Sequence, residues 1–433
     1  LSRTTTERTT PSALVGVWAL FLGFAFLQVG NGLQRILLPI RAESEGFSAG
    51  AMGAVMAFHF AGYLAGAKLI TRALNSVGHI RVFAALASLA STAVLLNAVL
   101  VLPAAWSAIY FVGGICNAGV FVVLESWLND KATNETRGQI LGIYMMIMMA
   151  GTALGQLLVN VAPSEGFQLF VLSSVLISIA VIPVTLSAGA SAPIPSSETM
   201  RMRELYQTIP SAVVGIILCS FVQSASTSMA AVFGTAAGLS TQRITLFTSA
   251  AVVGAVLLQM PLGQLSDRHP RRAVILVVAS IALGLALVGA LIPPSSLLLL
   301  PLNLAFGAFV FPMYGQFVAL ANDWVAPQKR VAAASALILA SSTGAVAAPM
   351  TLGAAIELFG PRGYYLSLAA VLAMLVFYLG YRSQVRDAVP LDRQSAFQPV
   401  LARSGAIAHS VTKWVKHPLA EWNRDTSAGQ DRA

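Results

Sequence analysis

Charge is scarce in this chain. Only 10% of its 433 residues are Asp, Glu, Lys or Arg, where soluble globular domains carry about 25%. Hydrophobic residues make up 57%, more than so few charges could cover in water, which excludes a disordered chain and an ordinary cytosolic enzyme. Cysteine is nearly missing: Cys116 and Cys219 are the only two, each inside an apolar run, so neither a disulfide scaffold nor a metal site is expected. Acidic residues number 17 against 26 basic ones. In a soluble protein that excess would suggest nucleic acid, but here the basic residues sit in short gaps between apolar runs, where they orient membrane helices. There is no Gly-x-x-x-x-Gly-Lys-Ser/Thr loop for ATP, no His-x-x-x-His, and no Gly-x-Ser-x-Gly with partners. The expectation is a non-enzyme without cofactor or metal.

Long apolar runs are what the chain does have. A membrane helix needs about 20 apolar residues. Runs of that order lie near 13–39, 48–70, 80–102, 105–128, 138–161 and 167–187, then near 210–233, 243–265, 272–292, 295–321, 331–356 and 362–382. The first run has no cleavage pattern behind it and reads as a retained helix. The spacing predicts an all-α polytopic membrane protein of twelve helices: a bundle over 1–187, a small-residue and proline linker over 188–209, a bundle over 210–382, and a polar tail over 383–433. In the tail, Val400, Leu401, Ile407, Val411, Trp414 and Val415 lie among lysines, as in a short interfacial helix or a disordered segment. With both termini and the linker on one side, 22 of the 26 Lys and Arg fall on that side, and only Arg41, Arg243 and Arg362 fall opposite. That side is expected to be the cytoplasm.

The two sets of six repeat one another. Asn129, Asp130, Arg137 and Gly151 recur as Asn322, Asp323, Arg330 and Gly344, all at an offset of 193. Two equivalent halves of this kind are the parallel-repeat layout of many carriers. Between runs 8 and 9 the chain reads Gly263, Gln264, Leu265, Ser266, Asp267, Arg268, His269, Pro270, Arg271, Arg272. This resembles the signature loop of the major facilitator superfamily, Gly-x-Leu-Ala-Asp-Arg-x-Gly-Arg-Arg, with Pro270 in place of the last glycine. The counterpart between runs 2 and 3, Thr71 and Arg72 followed by Gly78, His79, Ile80 and Arg81, lacks the Asp. Three further stretches are similar to the YcaD-like bacterial branch of that superfamily: Gly30 to Leu33 with Leu38 to Arg41, Leu124 to Asn129 with Thr136 to Gly138, and Gly78 to Phe83.

The resemblance covers about residues 12–382 and implies two six-helix bundles around a cavity lined by helices 1, 4, 7 and 10. It implies a secondary transporter of a small organic solute in a bacterial-type inner membrane, working by alternating access and driven by protons. An uncoupled uniporter and a binding member that does not transport are the alternatives. Asp267, Arg268, Arg271 and Arg272, with Asp130, Arg137, Asp323 and Arg330, are expected to act as a conformational latch.

Polar residues inside apolar runs are costly, so each either faces a wet cavity or bonds a neighbouring helix. Gln28, Asn31 and Arg35 share one face of the first run at i, i+3, i+7; Ser220, Gln223 and Thr227 do the same in the seventh. With Asn117, Asn303 and Tyr314 they form the candidate cavity, in which Arg35 could instead snorkel to the surface. His59, near the middle of the second run, can carry a proton at neutral pH. Glu125, at the inner end of the fourth, is the second proton candidate, or a gating partner of Arg137 or Arg72. Met145, Met146, Met148 and Met149 either line a binding wall or fill gaps, and Gly142, Gly151 and Gly155 are expected at close helix contacts. No Asp or Glu lies near mid-membrane or in the outer half of a run. An anionic, zwitterionic or neutral substrate is therefore favoured, with lipid and protons as the other partners and no nucleic acid, the chain acting as a monomer.

Overall fold

The computed structural model describes residues 17–132, 136–186, 202–326, 329–385 and 394. Among these residues, twelve helices are long and apolar enough to cross a membrane. The first six are α1 (Trp18–Ser44), α2 (Ala49–Val77), α3 (His79–Val99), α4 (Pro103–Lys131), α5 (Arg137–Leu157) and α6 (Gln168–Leu186). The second six are α7 (Pro210–Ser228), α8 (Thr241–Arg268), α9 (Arg271–Leu291), α10 (Leu299–Trp324), α11 (Arg330–Phe359) and α12 (Arg362–Val385). A short helix, Ala230–Ala236, carries α7 onward, and another, Met202–Thr208, precedes it. All twelve expected runs are helices, and the differences lie at the ends. α1 continues through Pro39 to Ser44, and α2 to Val77, because charged residues can extend a helix into the interface where a hydropathy run stops. The tail segment containing Trp414 and Val415 lies outside the described residues, as do the side chains of Arg72, Asp130 and Arg137.

Each bundle buries its polar and small residues inside and turns large apolar side chains outward. Leu186, at 79% exposed, and Phe377, at 78%, would be poor choices against water and are suited to lipid. Within each half the helices pair alike: α1 with α5 and α2 with α4, matched by α7 with α11 and α8 with α10. Glycine makes the pairs close. A Cβ on Gly155 of α5 would stand 2.9 Å from Gly32 Cα of α1, and one on Gly344 of α11 would stand 3.1 Å from Phe221 N of α7. Gly114 on α4 and Gly307 on α10, again 193 apart, press against α2 and α8 in the same way. Gly142 departs from the expectation: nothing lies within 4 Å of its Cβ position, so it is not a helix contact.

The turns repeat as well. Gly46 and Gly238 both take positive φ (75° and 65°), ending one helix, and Ser48 and Ser240 then cap the next by accepting from Ala51 N–H (3.1 Å) and Arg243 N–H (3.4 Å). The halves meet at the end that carries these turns, opposite the linker. There α2 packs along α11, and the Ala230–Ala236 helix packs on α1. Hydrogen bonds between described residues cross the seam at this end: Gly50 N–H donates to Glu357 Oε1 (2.9 Å), and Gln156 Oε1 accepts from Ser249 (3.2 Å) and Thr248 (3.4 Å).

Candidate functional site

A cavity of about 50 Å³ lies beneath the sealed end. Its polar wall is Asn31, Gln34 and Arg35 from α1, His59 from α2, Tyr110 and Asn117 from α4, and Thr227 and Ser228 from the end of α7. Local geometry explains the grouping. Gly62 and Gly66 on α2 meet α4 at backbone distance; a Cβ on Gly66 would lie 2.7 Å from Ile115 O. That approach brings the His59 ring to 5.5 Å from the Tyr110 ring, and Phe60, the next residue on α2, has its ring 5.7 Å from the imidazole. Across the cavity, Asn31 Nδ2 donates to Asn117 Oδ1 at 2.8 Å, joining α1 to α4. Arg35, half-buried, lies within electrostatic range of the Tyr110 hydroxyl. Among the described residues, no Asp or Glu lines the cavity. Its volume accommodates a few waters or a small ion, far below the several hundred Å³ of a ligand-filled site.

Four of the candidate cavity residues sit together here, Asn31, Arg35, Asn117 and Thr227, and His59 joins them. The others are held elsewhere. Gln28 is buried, with its Cβ against Gly151 of α5. Gln223 Nε2 donates to the carbonyls of Val310 (3.0 Å) and Phe311 (2.9 Å) beside Pro312, bonding α7 to α10. Asn303 Nδ2 donates to Phe247 O at 2.7 Å, and Tyr314 is fully buried on α10. Of the four α5 methionines, Met146 points outward at 68% exposure and Met148 is buried, and none of the four is among the described lining residues of the cavity, where Met56 of α2 sits instead. Gln34 and Tyr110 are cavity residues that the sequence reading passed over. Their signal is helical spacing, since Gln34 follows Asn31 by three and Tyr110 precedes Asn117 by seven.

Glu125 is buried at 3% exposure, and Tyr144 on α5 donates its hydroxyl to Oε1 at 3.1 Å. Near it on α3, His79 pairs with Ser126 at 3.0 Å. The signature loop forms a clamp within the second half. Arg271, 1% exposed, reaches Asp267 (Nη2–Oδ1, 3.2 Å) and the fully buried Asp323 of α10 (Nε–Oδ2, 3.5 Å). Arg272 Nη1 donates to Arg382 O (3.1 Å), and Arg382 Nε to Ser211 Oγ (3.4 Å), adding α12 and α7. Arg268 is exposed at the end of α8, and Arg330 begins α11.

The arrangement agrees with the comparisons. The family model for the Major Facilitator Superfamily matches residues 212–422. The protein named uncharacterised MFS-type transporter YcaD, from Escherichia fergusonii and from Escherichia coli, is 25% identical over 358 residues, covering 82% of this chain and 92% of the relative. Among solved structures, the nucleoside transporter NupG superposes with a TM-score of 0.69 at 11% identity, covering 86% of this chain and 98% of its own. A bacterial homologue of the human lysosomal transporter Spinster, inward-facing and occupied, gives 0.69 at 16% identity, with coverages of 89% and 98%. The signature loop, the doubled six-helix fold and these likenesses point one way: the second half of the chain matches the Major Facilitator Superfamily model, most of its length is similar to YcaD-type MFS transporters, and its fold is that of the solved transporters.

Proposed function

We propose that this transporter moves a small anionic, zwitterionic or neutral organic solute across a bacterial-type inner membrane by alternating access, coupled to protons. The supporting observation is the cavity under the seam, where Arg35, His59 and the Asn31–Asn117 amides converge and, among the described residues, no carboxylate lines the wall. An anionic or polar group would be met there by a guanidinium, an imidazole and amide donors. An organic cation would lose its water with no fixed carboxylate to replace it. The packing of α2 along α11 and the Gly50–Glu357 contact suit a state in which the side opposite the linker is shut. With both termini in the cytoplasm, as the Lys and Arg distribution favours, that shut side is the outer one. His59 at the cavity and Glu125 at the Tyr144 contact are the proposed proton carriers. Asp267, Arg271 and Asp323 are the proposed latch, holding α8, α9 and α10 as one body while the halves rock.

Competition for uptake in everted and right-side-out vesicles tests the reading. Organic anions and polar neutral solutes are expected to compete better than permanent cations, and Arg35→Gln to erase the preference for anions. His59→Gln is expected to abolish acceleration by an imposed pH gradient while sparing solute exchange. Best competition by permanent cations, untouched by either variant, would overturn the charge assignment. Solute movement without accompanying proton flux would leave a uniporter.

A further inference from the structure

We propose that Glu357 is a gating residue of the transport cycle, closing the sealed end by capping the N-terminus of α2 from the opposite half of the molecule. The first turn of a helix leaves its N–H groups without intrahelical partners. In α2 two of them are satisfied differently. Ser48 accepts from Ala51 N–H at 3.1 Å, as an ordinary N-cap does. Gly50 N–H instead donates at 2.9 Å to Oε1 of Glu357, which stands 307 residues further along the chain on α11. The Ser48 hydroxyl lies within electrostatic reach of the same carboxylate. An N–H at the second helical position is commonly satisfied by the helix's own N-cap side chain, and here the partner is supplied across the seam between halves.

The surrounding backbone is shaped to admit it. A Cβ on Gly50 would stand 2.7–2.8 Å from the Glu357 carboxylate atoms, so any other residue would displace the acid. One on Gly353, a turn before Glu357, would stand 3.0 Å from Gly50 Cα and 2.7 Å from Ala49 O. The other crossing contact is chemically different. The second half repeats the turn, with Ser240 capping α8 at Arg243 N–H, but the facing helix α5 offers the neutral amide of Gln156 to Thr248 and Ser249. These two matching places at the seam therefore differ: at one a charged carboxylate makes the contact, at the other a neutral amide. A carboxylate is stabilised at a helix N-terminus by the backbone dipole, and that stabilisation is lost when the halves part at this end. Because the clasp is exposed, water can take over part of its role, so it biases the equilibrium between sealed and open forms without locking it.

The inference rests on the alternating-access reading, and the test separates the two. Cys116 and Cys219 are replaced by Ala, and nitroxides are placed at Ala104, beginning α4, and Ser295, between α9 and α10, for pulsed dipolar spectroscopy in nanodiscs. Gly353→Trp, a wedge in the seam, gives the open reference, with Gly353→Leu as a milder wedge. Glu357→Ala is expected to raise the ratio of long to short distances about five-fold, the equivalent of losing one helix cap. Glu357→Gln, which keeps an acceptor oxygen, should raise it less. Glu165→Ala, removing an exposed acid from the same end outside the seam, should leave it unchanged. If the wedges widen the distance and Glu357→Ala does not, or if Glu165→Ala acts equally, the gating role is overturned. If neither wedge widens it, alternating access itself fails.

Discussion

Arg271 is a cation that the fold has taken out of water and paired with Asp323, itself fully buried, and with Asp267, which is 36% exposed. The two carboxylates should therefore not be equal. Removing the partner of a buried charge costs about 3–5 kcal/mol, whereas exposed pairs contribute about 0–1 kcal/mol because water screens them. Asp323→Asn is expected to lower the melting temperature in detergent markedly. Asp267→Asn should unfold close to the wild type yet transport slowly, if this charge works in the cycle more than in the fold. Equal melting shifts would show that Asp323 is no more isolated from water than Asp267. Glu125 is the other buried acid with a defined neighbour, Tyr144. Glu125→Gln keeps an oxygen for the tyrosine to donate to, so the protein should fold and exchange solute while uptake driven by a proton gradient disappears. Unaltered proton-driven uptake would remove Glu125 from the pathway.

At the scale of helices, the organising feature is where glycine lets backbones touch. Gly114 on α4 would place a Cβ 2.8 Å from Tyr63 N on α2, the contact that sets His59 beside Tyr110. Gly114→Val is therefore expected to cost about 1–3 kcal/mol by overpacking and to impair transport, since the cavity wall is displaced with the helix. Gly142 on α5 has open space at its Cβ position. Gly142→Ala should be neutral or stabilise by up to about 1 kcal/mol through helix propensity alone. Thermal unfolding of the two variants side by side checks both, and a loss at Gly142 would mean that a partner such as lipid packs there. Periodicity could flag all these glycines as interface candidates but could not separate Gly142 from Gly114. A glycine on the lipid face and one at a contact have the same local sequence logic, and only the neighbouring helix tells them apart.

For the whole molecule, the repeat is the central physical fact. Offsets of 192 to 193 relate the capped turns at Ser48 and Ser240 and the close contacts at Gly114 and Gly307, so each half packs its helices by one recipe. The halves depart from that recipe in their polar residues. The described polar wall of the cavity comes mostly from the first half, and the Arg271 clamp lies in the second. Cysteines placed at Ser44 and at Arg203 should react with a membrane-impermeant maleimide from opposite faces, Ser44 from outside. Labelling of Ser44 only after permeabilisation would invert the topology and make the sealed end the cytoplasmic one.

The sequence by itself determined the membrane environment, the twelve helices and their division into two related sixes. These follow from composition, run length and offset, which are one-dimensional properties. It also placed Asn31, Arg35, His59, Asn117 and Thr227 at helix positions that the fold brings to one cavity. Only the tertiary structure decided which polar residues bond inward. Gln223 and Asn303 satisfy carbonyls on neighbouring helices, and Gln28 lies buried against α5, yet in sequence each resembles the residues of the cavity stripe. The physical reason is that a buried polar group must find a partner, and whether that partner is a neighbouring backbone or a cavity depends on contacts across many residues. Glu357 shows the same limit from the other side. In sequence it is an acid at the end of a helix, and its role as a cap exists only because α11 lies against the start of α2.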